Sequence, residues 1–294
     1  MRIALLVNPI AGQGRATGYV ERLRERLVVN GMSVATVDGS PARAELLDGY
    51  SAAVVVGGDG TLNRWLGALS ASNTPVWHAP MGTENLFART FRHDTHPDRF
   101  VAAVRRFQPR VIDLGDCGGR LFSIMASFGP DAEVVRAVSA KRTGGISRLT
   151  YAGPIAGRLF QYASARGSVE CDSLPMIAGR LGMLVIANLS AYAVRLDPAW
   201  HALPDDGKLS VVHLPGRTAF GVGARLLAGY ARDESIIPGR LTVDAQLVEI
   251  SCDAGQQPPA IQLDGDLLDP DAWDSDRLTV KVVPNALQVL VPAD

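Results

Sequence analysis

The stretch that most constrains the fold is a short apolar run that ends in glycines around one aspartate. Val54–Val56 are three β-branched residues in a row, and Gly57–Gly60, with the sequence Gly-Gly-Asp-Gly, follow directly. Such a run is typical of a strand buried on both faces of a parallel sheet. Apolar residues then recur at helical spacing over Thr61–Leu69. The sequence therefore predicts a strand, a tight turn and a helix N-terminus in immediate succession.

This turn has the properties of a phosphate site. Gly57, Gly58 and Gly60 can adopt positive φ without strain and can let another group approach the main chain closely. The free N–H groups and the positive end of the helix dipole point to one place. Asp59 would repel a bare phosphate unless a divalent cation or a proton to be removed lies between them. The turn is either a nucleotide–metal or general-base site, or a plain turn with Asp59 as a helix cap.

Composition limits the class of protein. The chain has 294 residues, 47% of them hydrophobic and 20% charged, which is enough for two globular domains. A net charge of -1 argues against nucleic acid as the main partner. Cys117, Cys171 and Cys252 are few and far apart, which indicates buried thiols in a reducing cytosol. No apolar run approaches the length of a transmembrane segment, so we expect a cytoplasmic protein.

Two more polar turns follow predicted strands in the N-terminal part. Asn8–Gly14 comes after the strand Arg2–Val7, and Met81–Asn85 comes after Pro75–Pro80. Strands and helices that alternate imply a parallel sheet, which binds ligands at the carboxyl ends of its strands. The sequence therefore predicts a Rossmann-like α/β nucleotide-binding domain over residues 1–114.

The C-terminal part consists mainly of short strands. Among those predicted are Leu121–Ser127 and Leu241–Cys252, and turn signals such as Asp264–Asp266 separate the strands. This pattern indicates a mainly antiparallel β domain, of sandwich or split-barrel type, over residues 115–284. A last apolar strand within 285–294 is expected to return to the first domain.

Six segments resemble the diacylglycerol kinase catalytic-domain family, which includes bacterial lipid kinases and the sphingosine and ceramide kinases. The resemblance implies that a nucleotide-binding α/β domain and a β-rich lipid-binding domain transfer the γ-phosphoryl group of ATP to a lipid hydroxyl, as of diacylglycerol or a sphingoid base. The nucleotide would lie at the domain cleft. The matching segments are Asn8–Gly12, Gly57–Asn63, Pro80–Arg89, Gly144–Tyr151, Leu203–Leu209 and Leu263–Asp266.

The resemblance implies three catalytic aspartates. Asp59 and Asp113 stand where the family has acidic active-site residues, whose plausible task is to hold Mg²⁺ against the β- and γ-phosphates. Asp266 stands where the family usually has a Glu that takes the proton from the lipid hydroxyl. Because Asp is one methylene shorter, it needs a more closed site or an intervening water. The alternative for the Asp264–Asp266 segment is a simple hairpin turn.

The resemblance also implies nucleotide contacts, which the helix-terminus argument supports for the turns. Arg64 departs from the Glu common in relatives, and either binds a phosphate as a bidentate donor or points to solvent. Glu84 is unusual in a turn that faces phosphate. The predicted nucleotide-binding residues are Asn8, Pro9, Ile10, Ala11, Gly12, Thr36, Gly57, Gly58, Asp59, Gly60, Thr61, Leu62, Asn63, Arg64, Gly82, Thr83, Asn85 and Asp264.

A second metal site is implied by three further positions. Leu203, Asp206 and Lys208 match residues with which bacterial relatives bind a structural magnesium, partly through main-chain oxygens. Lys208 contributes only its carbonyl, since its ammonium repels a cation. The alternative is an Asp-Asp-Gly turn without metal, which is common.

Two further features have simple alternatives. The segment from Arg136 to Arg166 is basic and contains no acidic residue, which suits a peripheral face on anionic lipid or a solvated helix pair. His93 and His96 lie in a polar loop and are expected to be solvated.

The sequence thus predicts a magnesium- and ATP-dependent lipid kinase that associates peripherally with membranes and acts in phospholipid metabolism. A homodimer is compatible with the sequence. One alternative is a kinase of a soluble hydroxyl compound, since NAD kinases share the Gly-Gly-Asp-Gly-Thr turn. The other is a nucleotide-binding sensor without transfer activity.

Overall fold

A computed structural model of the protein describes residues 1–37, 43–139, 159–160, 162–192, 196–229, 233 and 236–292. The chain divides into two compact units. The first comprises Met1–Leu114 and Pro284–Asp294, and the second comprises Gly115–Val283. The predicted segment 144–151 lies outside the described residues.

The first unit is built on a parallel sheet of the strand order β2-β1-β3-β4. The end of β16 extends this sheet beside β4, where Val289 pairs with Val76. The strands are β1 (Arg2–Val7), β2 (Ser33–Thr36), β3 (Ala52–Gly57), β4 (Val76–Pro80), β5 (Pro109–Cys117), which leaves the unit, and β16 (Arg277–Leu290), which returns to it. The helices are α1 (Arg15–Val29), α2 (Asp59–Ser72), α3 (Leu86–Thr90) and α4 (Pro97–Arg106).

The sequence pattern explains the core of this unit. Strand β3 lies between β1 and β4 and is buried along its whole length, as its apolar run predicts. Helix α1 buries Ala16, Tyr19, Leu23 and Leu27, which recur at helical spacing on one face. Helix α2 ends at Asn73, which adopts a left-handed conformation with φ of 52°.

The second unit consists of two antiparallel sheets. One sheet has the order β12-β11-β10-β7-β14-β15, and the other contains β13 between β8 and the first part of β16. The remaining elements are β6 (Arg120–Phe122), β7 (Met125–Phe128), α5 (Pro130–Ser139), β8 (Arg166–Cys171), β9 (Leu174–Arg180), β10 (Met183–Ala187), β11 (Leu209–Leu214), α6 (Ala219–Ala228), β12 (Leu241–Ala245), β13 (Leu247–Cys252), β14 (Ile261–Leu263) and β15 (Asp266–Leu267).

Both sheets contribute to one hydrophobic core. Val169 and Ile250 from one sheet share a buried cluster with Ile186 and Val211 from the other. Two layers around a common core form a β-sandwich. The predicted fold class, an α/β unit followed by a mainly antiparallel sandwich, is confirmed. No helix in the described part of the chain is long and apolar enough to cross a membrane.

Two predicted strands are each divided in the structure, so their predicted bounds are wrong. The segment 121–127 is interrupted between β6 and β7, and 241–252 changes from one sheet to the other between β12 and β13. At the second interruption, the N–H groups of Gln246 and Leu247 donate to Oδ1 of Asp172 at 3.0 and 2.9 Å. A side-chain acceptor there replaces the partners of a continuous ladder.

Candidate active site

The glycine turn of the first unit follows β3 directly, and α2 begins at Asp59. Gly57, Gly58 and Gly60 all have φ outside the positive range, so the turn does not use their capacity for positive φ. Close approach is the reason for Gly57. A Cβ atom there would lie 2.3 Å from Oγ1 of Thr61, which fills the space above the turn.

A second turn packs against the first. A Cβ atom on Gly82 would lie 2.7 Å from Cα of Gly58, so neither turn has room for a side chain. The N–H of Met81 donates to the carbonyl of Gly57 at 2.7 Å. Asn85 closes the second turn, because its Oδ1 accepts from the Gly82 N–H at 2.8 Å and its Nδ2 donates to the Gly82 carbonyl at 3.0 Å.

The third turn, after β1, joins the other two through Asn8. Its N–H donates to the carbonyl of Val56 at 3.0 Å, and its Nδ2 approaches Oγ1 of Thr61 to 3.4 Å. Its Oδ1 accepts from the N–H of Ile10, whose side chain is exposed. Gly12 has φ of 60°. The three turns therefore meet at the carboxyl edge of the parallel sheet.

Asp59 caps a helix, but not the one that it begins. Its Oδ2 accepts from the N–H of Leu86 at 3.0 Å, and its Oδ1 accepts from the N–H of Phe87 at 3.2 Å. These are the first N–H groups of α3, which the carboxylate satisfies. Each carboxylate oxygen has a further lone pair, so this contact orients Asp59 and leaves it able to bind a cation as well.

Two histidines form a buried chain of hydrogen bonds behind the turn. Nε2 of His78 lies 2.9 Å from the carbonyl of Gly57, and the N–H of His78 donates to Nδ1 of His93 at 3.1 Å. Nε2 of His93 lies 2.6 Å from the carbonyl of Leu290. His93 must therefore be the neutral Nε2–H tautomer, because its Nδ1 accepts a hydrogen bond, and His78 must carry a proton on Nε2.

Burial sets the charge of these histidines. It lowers the pKa of His78, which the charge of Asp59 opposes, and it lowers the pKa of His93 to about 3. His93 is therefore buried and neutral, and the prediction that it is solvated is wrong. The partners of His93 are backbone groups far away in the sequence. The polar residues around His93 in the sequence therefore did not indicate that it is buried. The side chain of His96 is 78% exposed, as predicted.

Asp113 lies on β5, next to the last residue of the Met1–Leu114 segment of the first unit. It is buried, and its Oδ1 accepts from the N–H of Asn285 at 2.7 Å. Asn285 has φ of 53°, which interrupts the extended conformation of β16. The carboxylate therefore fixes the point at which the last strand re-enters the first unit. Its part in metal binding stays a prediction.

The other predicted nucleotide-binding residues of this unit lie in different environments. Arg64 is exposed and its Nε donates to the carbonyl of Gly60, one turn back on its own helix, at 3.3 Å. Leu62 and Asn63 are buried in α2, whereas Thr83 and Pro9 are exposed on their turns. Ala11 is half-buried beside Gly12.

Thr36 pairs with Leu5 of β1, the strand that the third turn follows. It ends β2, which is separated from β3 by β1, and its Oγ1 accepts a hydrogen bond from Arg24 of α1. The hydroxyl of Thr36 therefore has a partner on α1, and its part in nucleotide binding stays a prediction.

The hairpin that connects β14 and β15 carries the two predicted aspartates of the second unit. The carboxylate of Asp264 accepts from the N–H groups of Ser123, Ile124 and Met125 at 2.8, 2.9 and 2.9 Å, and from the Ser123 hydroxyl at 3.0 Å. These contacts explain why the predicted strand over 121–127 is interrupted. Asp264 therefore anchors the hairpin to its own unit.

A chain of side chains holds the next residue of the hairpin. The N–H of Gly265 donates to Oε1 of Gln262 at 2.7 Å, and Nε2 of Gln262 donates to Oγ of Ser127 at 2.5 Å. The Ser127 hydroxyl donates to Oδ2 of Asp131, which also accepts from the Tyr192 hydroxyl at 3.1 Å. Burial raises the pKa of Asp131.

This chain of polar contacts was not predicted from the sequence. Asp131 is the second residue of α5 and follows an apolar strand and a Gly-Pro pair, a signal that resembles the one around Asp59. Gln262 stands within an otherwise apolar strand, where a buried amide must find partners. Both signals were present, but neither residue type alone indicates a site.

Asp266 follows the hairpin turn and has a cationic neighbour. Its Oδ2 lies 3.8 Å from Nη2 of Arg120, and its side chain is 27% exposed. Nη1 of Arg120 donates to the carbonyl of Leu267 at 2.9 Å, so the guanidinium contacts both residues of β15. The Asp266 carboxylate is thus held at an accessible position beside a fixed positive charge.

The residues of the predicted second metal site form a compact turn. Oδ1 of Asp206 accepts from the N–H of Lys208 at 3.0 Å, and Leu203 is exposed. Among the described residues, no three His, Cys, Asp or Glu side chains form a metal-binding group. Since Mg²⁺ usually keeps several waters and takes only one or two carboxylates, this fits either alternative and the site stays a prediction.

Comparison with known proteins gives the family. The sequence model described as the diacylglycerol kinase catalytic domain matches residues 2–117. A protein of Pseudomonas fluorescens named a probable YegS-like lipid kinase is 30% identical over 255 residues, which cover 85% of this chain and 80% of that protein. A diacylglycerol kinase of Mycobacterium tuberculosis is 30% identical over 146 residues, 45% of this chain and 47% of that enzyme.

Solved structures share the fold over the whole chain. A diacylglycerol kinase of Bacillus anthracis has a TM-score of 0.68 at 14% identity and covers 99% of this chain and 96% of its own. An NAD kinase of Archaeoglobus fulgidus in complex with ATP has a TM-score of 0.56 at 15% identity, with 99% and 94% covered. From the relatives and the fold together, this chain belongs to the diacylglycerol kinase catalytic-domain family of lipid kinases.

Proposed function

We propose that the protein transfers the γ-phosphoryl group of ATP to a hydroxyl group of a membrane lipid. The observation that carries the proposal is the meeting of three strand-to-helix turns at one sheet edge, with Gly58 and Gly82 in backbone contact and Asn8 within reach of Thr61. Family membership supports kinase chemistry for this arrangement.

The first unit would bind the nucleotide. The N-terminus of α2 offers backbone N–H groups and the positive end of its dipole to the phosphates. Asp59 is held by two backbone N–H groups, so its orientation is fixed before the nucleotide binds. Asp59 and Asp113 would hold Mg²⁺, which neutralises the charge that develops on the β- and γ-phosphates.

Asp266 would act on the acceptor. As the lipid hydroxyl oxygen forms its bond to the γ-phosphorus, the bond from that phosphorus to the bridging oxygen of ADP breaks, and the hydroxyl proton goes to the carboxylate of Asp266. Asp264 anchors the hairpin directly before Gly265, and Gln262 accepts from the Gly265 N–H, which limits the positions that the Asp266 carboxylate can take. Transfer needs such a fixed base, because misplacement by about 1 Å can cost a hundredfold in rate.

The test is transfer of label from γ-labelled ATP, with magnesium, to vesicles of total cellular lipid. We expect label in the organic phase, and we expect EDTA, Asp59→Asn and Asp266→Asn each to remove it. The matched control is Asp271→Asn, which changes an exposed aspartate of the second unit, the unit that contains Asp266. Chromatography of the product then identifies the lipid.

Two results would overturn the proposal. Label on a water-soluble product and not on lipid would identify a kinase of a soluble hydroxyl compound. Saturable ATP binding without transfer to either phase would identify a nucleotide sensor.

A further inference from the structure

Two phenylalanine side chains of the second unit are almost completely exposed. Phe160 is 94% exposed and Phe220 is 87% exposed. The N–H of Ser164 donates to the carbonyl of Arg217 at 3.1 Å, so each phenylalanine lies within four residues of one hydrogen bond. Large aromatic groups left in water at the same part of a surface indicate that something else covers them.

Phe220 belongs to a helix whose outward face is apolar. Helix α6 begins at the cap Thr218, whose Oγ1 accepts from the N–H of Gly221 at 3.3 Å. Phe220 and Leu227 are seven residues apart and therefore lie on one face, and Leu227 is 64% exposed. Val222, on another face, is buried. One apolar side of the helix is therefore packed against the protein, and a second apolar side faces water.

The polar groups of α6 do not interrupt this exposed face. The guanidinium of Arg225 turns back, donating to the carbonyl of Gly221 at 2.9 Å and of Pro238 at 3.2 Å. Between Pro215 and Asp233 the sequence contains Arg217, Arg225 and Arg232 and no acidic residue, and Asp233 and Glu234 follow directly. Arg217, at the start of the helix, is exposed.

An apolar face with the exposed Arg217 at its margin fits an anionic lipid surface. Apolar side chains enter the boundary between headgroups and acyl chains, and arginines bind lipid phosphates. A second copy of the chain fits less well, because a two-fold interface would bring like charges together. A single helix of ten residues is also small for a stable protein interface.

We propose that α6 and Phe160 form the membrane-docking surface of this protein, in which Phe220 and Leu227 insert into an anionic bilayer and Arg217 contacts lipid phosphate. The inference rests on the proposed function, because a lipid acceptor must be reached in its bilayer. It assigns that contact to α6, which lies outside the basic segment indicated by the sequence, together with Phe160, which lies within that segment.

The first test is sedimentation of the full chain with vesicles of phosphatidylcholine containing phosphatidylglycerol, without ATP. We expect Phe220→Ser and Leu227→Ser each to lower the partition coefficient about tenfold, since each removes one large apolar side chain from the lipid. The matched control is Val29→Ser, at a valine that is 77% exposed on α1 of the first unit, and it should bind like the parent. We also expect weaker binding to vesicles of phosphatidylcholine alone.

The second test locates the helix in the bilayer. The native Cys117, Cys171 and Cys252 are buried, so a thiol introduced by Phe220→Cys can be labelled selectively with a nitroxide. With vesicles, we expect that label to become accessible to oxygen and protected from a water-soluble nickel reagent, and a label introduced by Val29→Cys to stay in water.

Three results would overturn the docking proposal: no binding of the parent to either vesicle, equal partition of the parent and both variants, or a label at position 220 that stays in water while the protein is bound. A dimer in light scattering that Phe220→Ser dissociates would assign the surface to self-association. Because these readouts need no turnover, they are independent of whether phosphoryl transfer occurs.

Discussion

The turn around Asp59 and the hairpin around Asp264 use a carboxylate in the same way but divide the work differently. In the first unit, one side chain caps α3 and is also the proposed magnesium ligand. In the second unit, Asp264 makes four anchoring contacts, and the proposed base, Asp266, stands two residues further on. In the hairpin, mutation of Asp264 should therefore affect stability and mutation of Asp266 should affect catalysis. In the turn, mutation of Asp59 should affect both.

The largest effect is expected on activity from Asp266→Asn. Loss of the general base should lower kcat about a thousandfold, because the amide cannot take the hydroxyl proton. The free energy of unfolding should change by less than about 0.5 kcal/mol, since the side chain is partly exposed. Labelled transfer and urea unfolding measure the two quantities. Asp266→Glu should keep activity, and equal loss in both variants would contradict the role of a base.

The opposite pattern is expected from Asp264→Ala. It removes the acceptor of three backbone N–H groups and one hydroxyl, so the second unit should lose about 3 kcal/mol or more of unfolding free energy. Urea unfolding followed by a probe in this unit measures the loss. If Asp264→Ala and Asp266→Asn were equally stable, the division of work within the hairpin would be wrong.

A smaller loss is expected from Gly82→Ala in the first unit. The added Cβ would meet Cα of Gly58 at 2.7 Å, so the two turns must separate, at about 1–3 kcal/mol. Affinity for ATP should fall with it, as titration calorimetry can measure. Gly67→Ala is the matched control, because nothing lies within 4 Å of the new Cβ on α2, and it should stabilise by about 0.5–1 kcal/mol.

The smallest effect, if the pH is lowered only from about 7 to about 6, is a pH dependence of the first unit. The pKa of His93 is about 3 in the folded protein and about 6.5 in an unfolded chain, so between these values the unfolded state binds the extra proton. Stability is therefore fully present above pH 6.5 and falls by about 1.4 kcal/mol per unit as the pH is lowered. His93→Gln, whose amide can replace both hydrogen bonds, should reduce this slope. An unchanged slope would show that His93 does not titrate on unfolding.

Local patterns predicted those parts of the molecule that local physics decides. The apolar run of β3 and the helical spacing of α1 and α2 were sufficient for the α/β unit, and closely spaced turn signals were sufficient for the sandwich. The three turns could be placed at one edge because parallel strands leave no other position for them.

Long-range polar contacts account for what the sequence did not predict. The interruptions of two strands depend on Asp264 and Asp172, whose backbone partners lie about 140 and 74 residues away. The burial of His93 depends on Leu290, 197 residues later. The need for glycine at positions 57 and 82 depends on neighbours in space, Thr61 and Gly58, which cannot be inferred from φ preferences.

The dual membership of β16 has a consequence for biosynthesis. The first unit contains the earliest residues of the chain, yet its sheet is completed by Val289 beside Val76. During synthesis on the ribosome, this edge of β4 therefore stays unpaired until the second unit and the end of β16 have been made. Such distant pairing slows folding and leaves a strand edge open in the nascent chain. Removal of residues 285–294 should leave the first unit dependent on chaperones for folding.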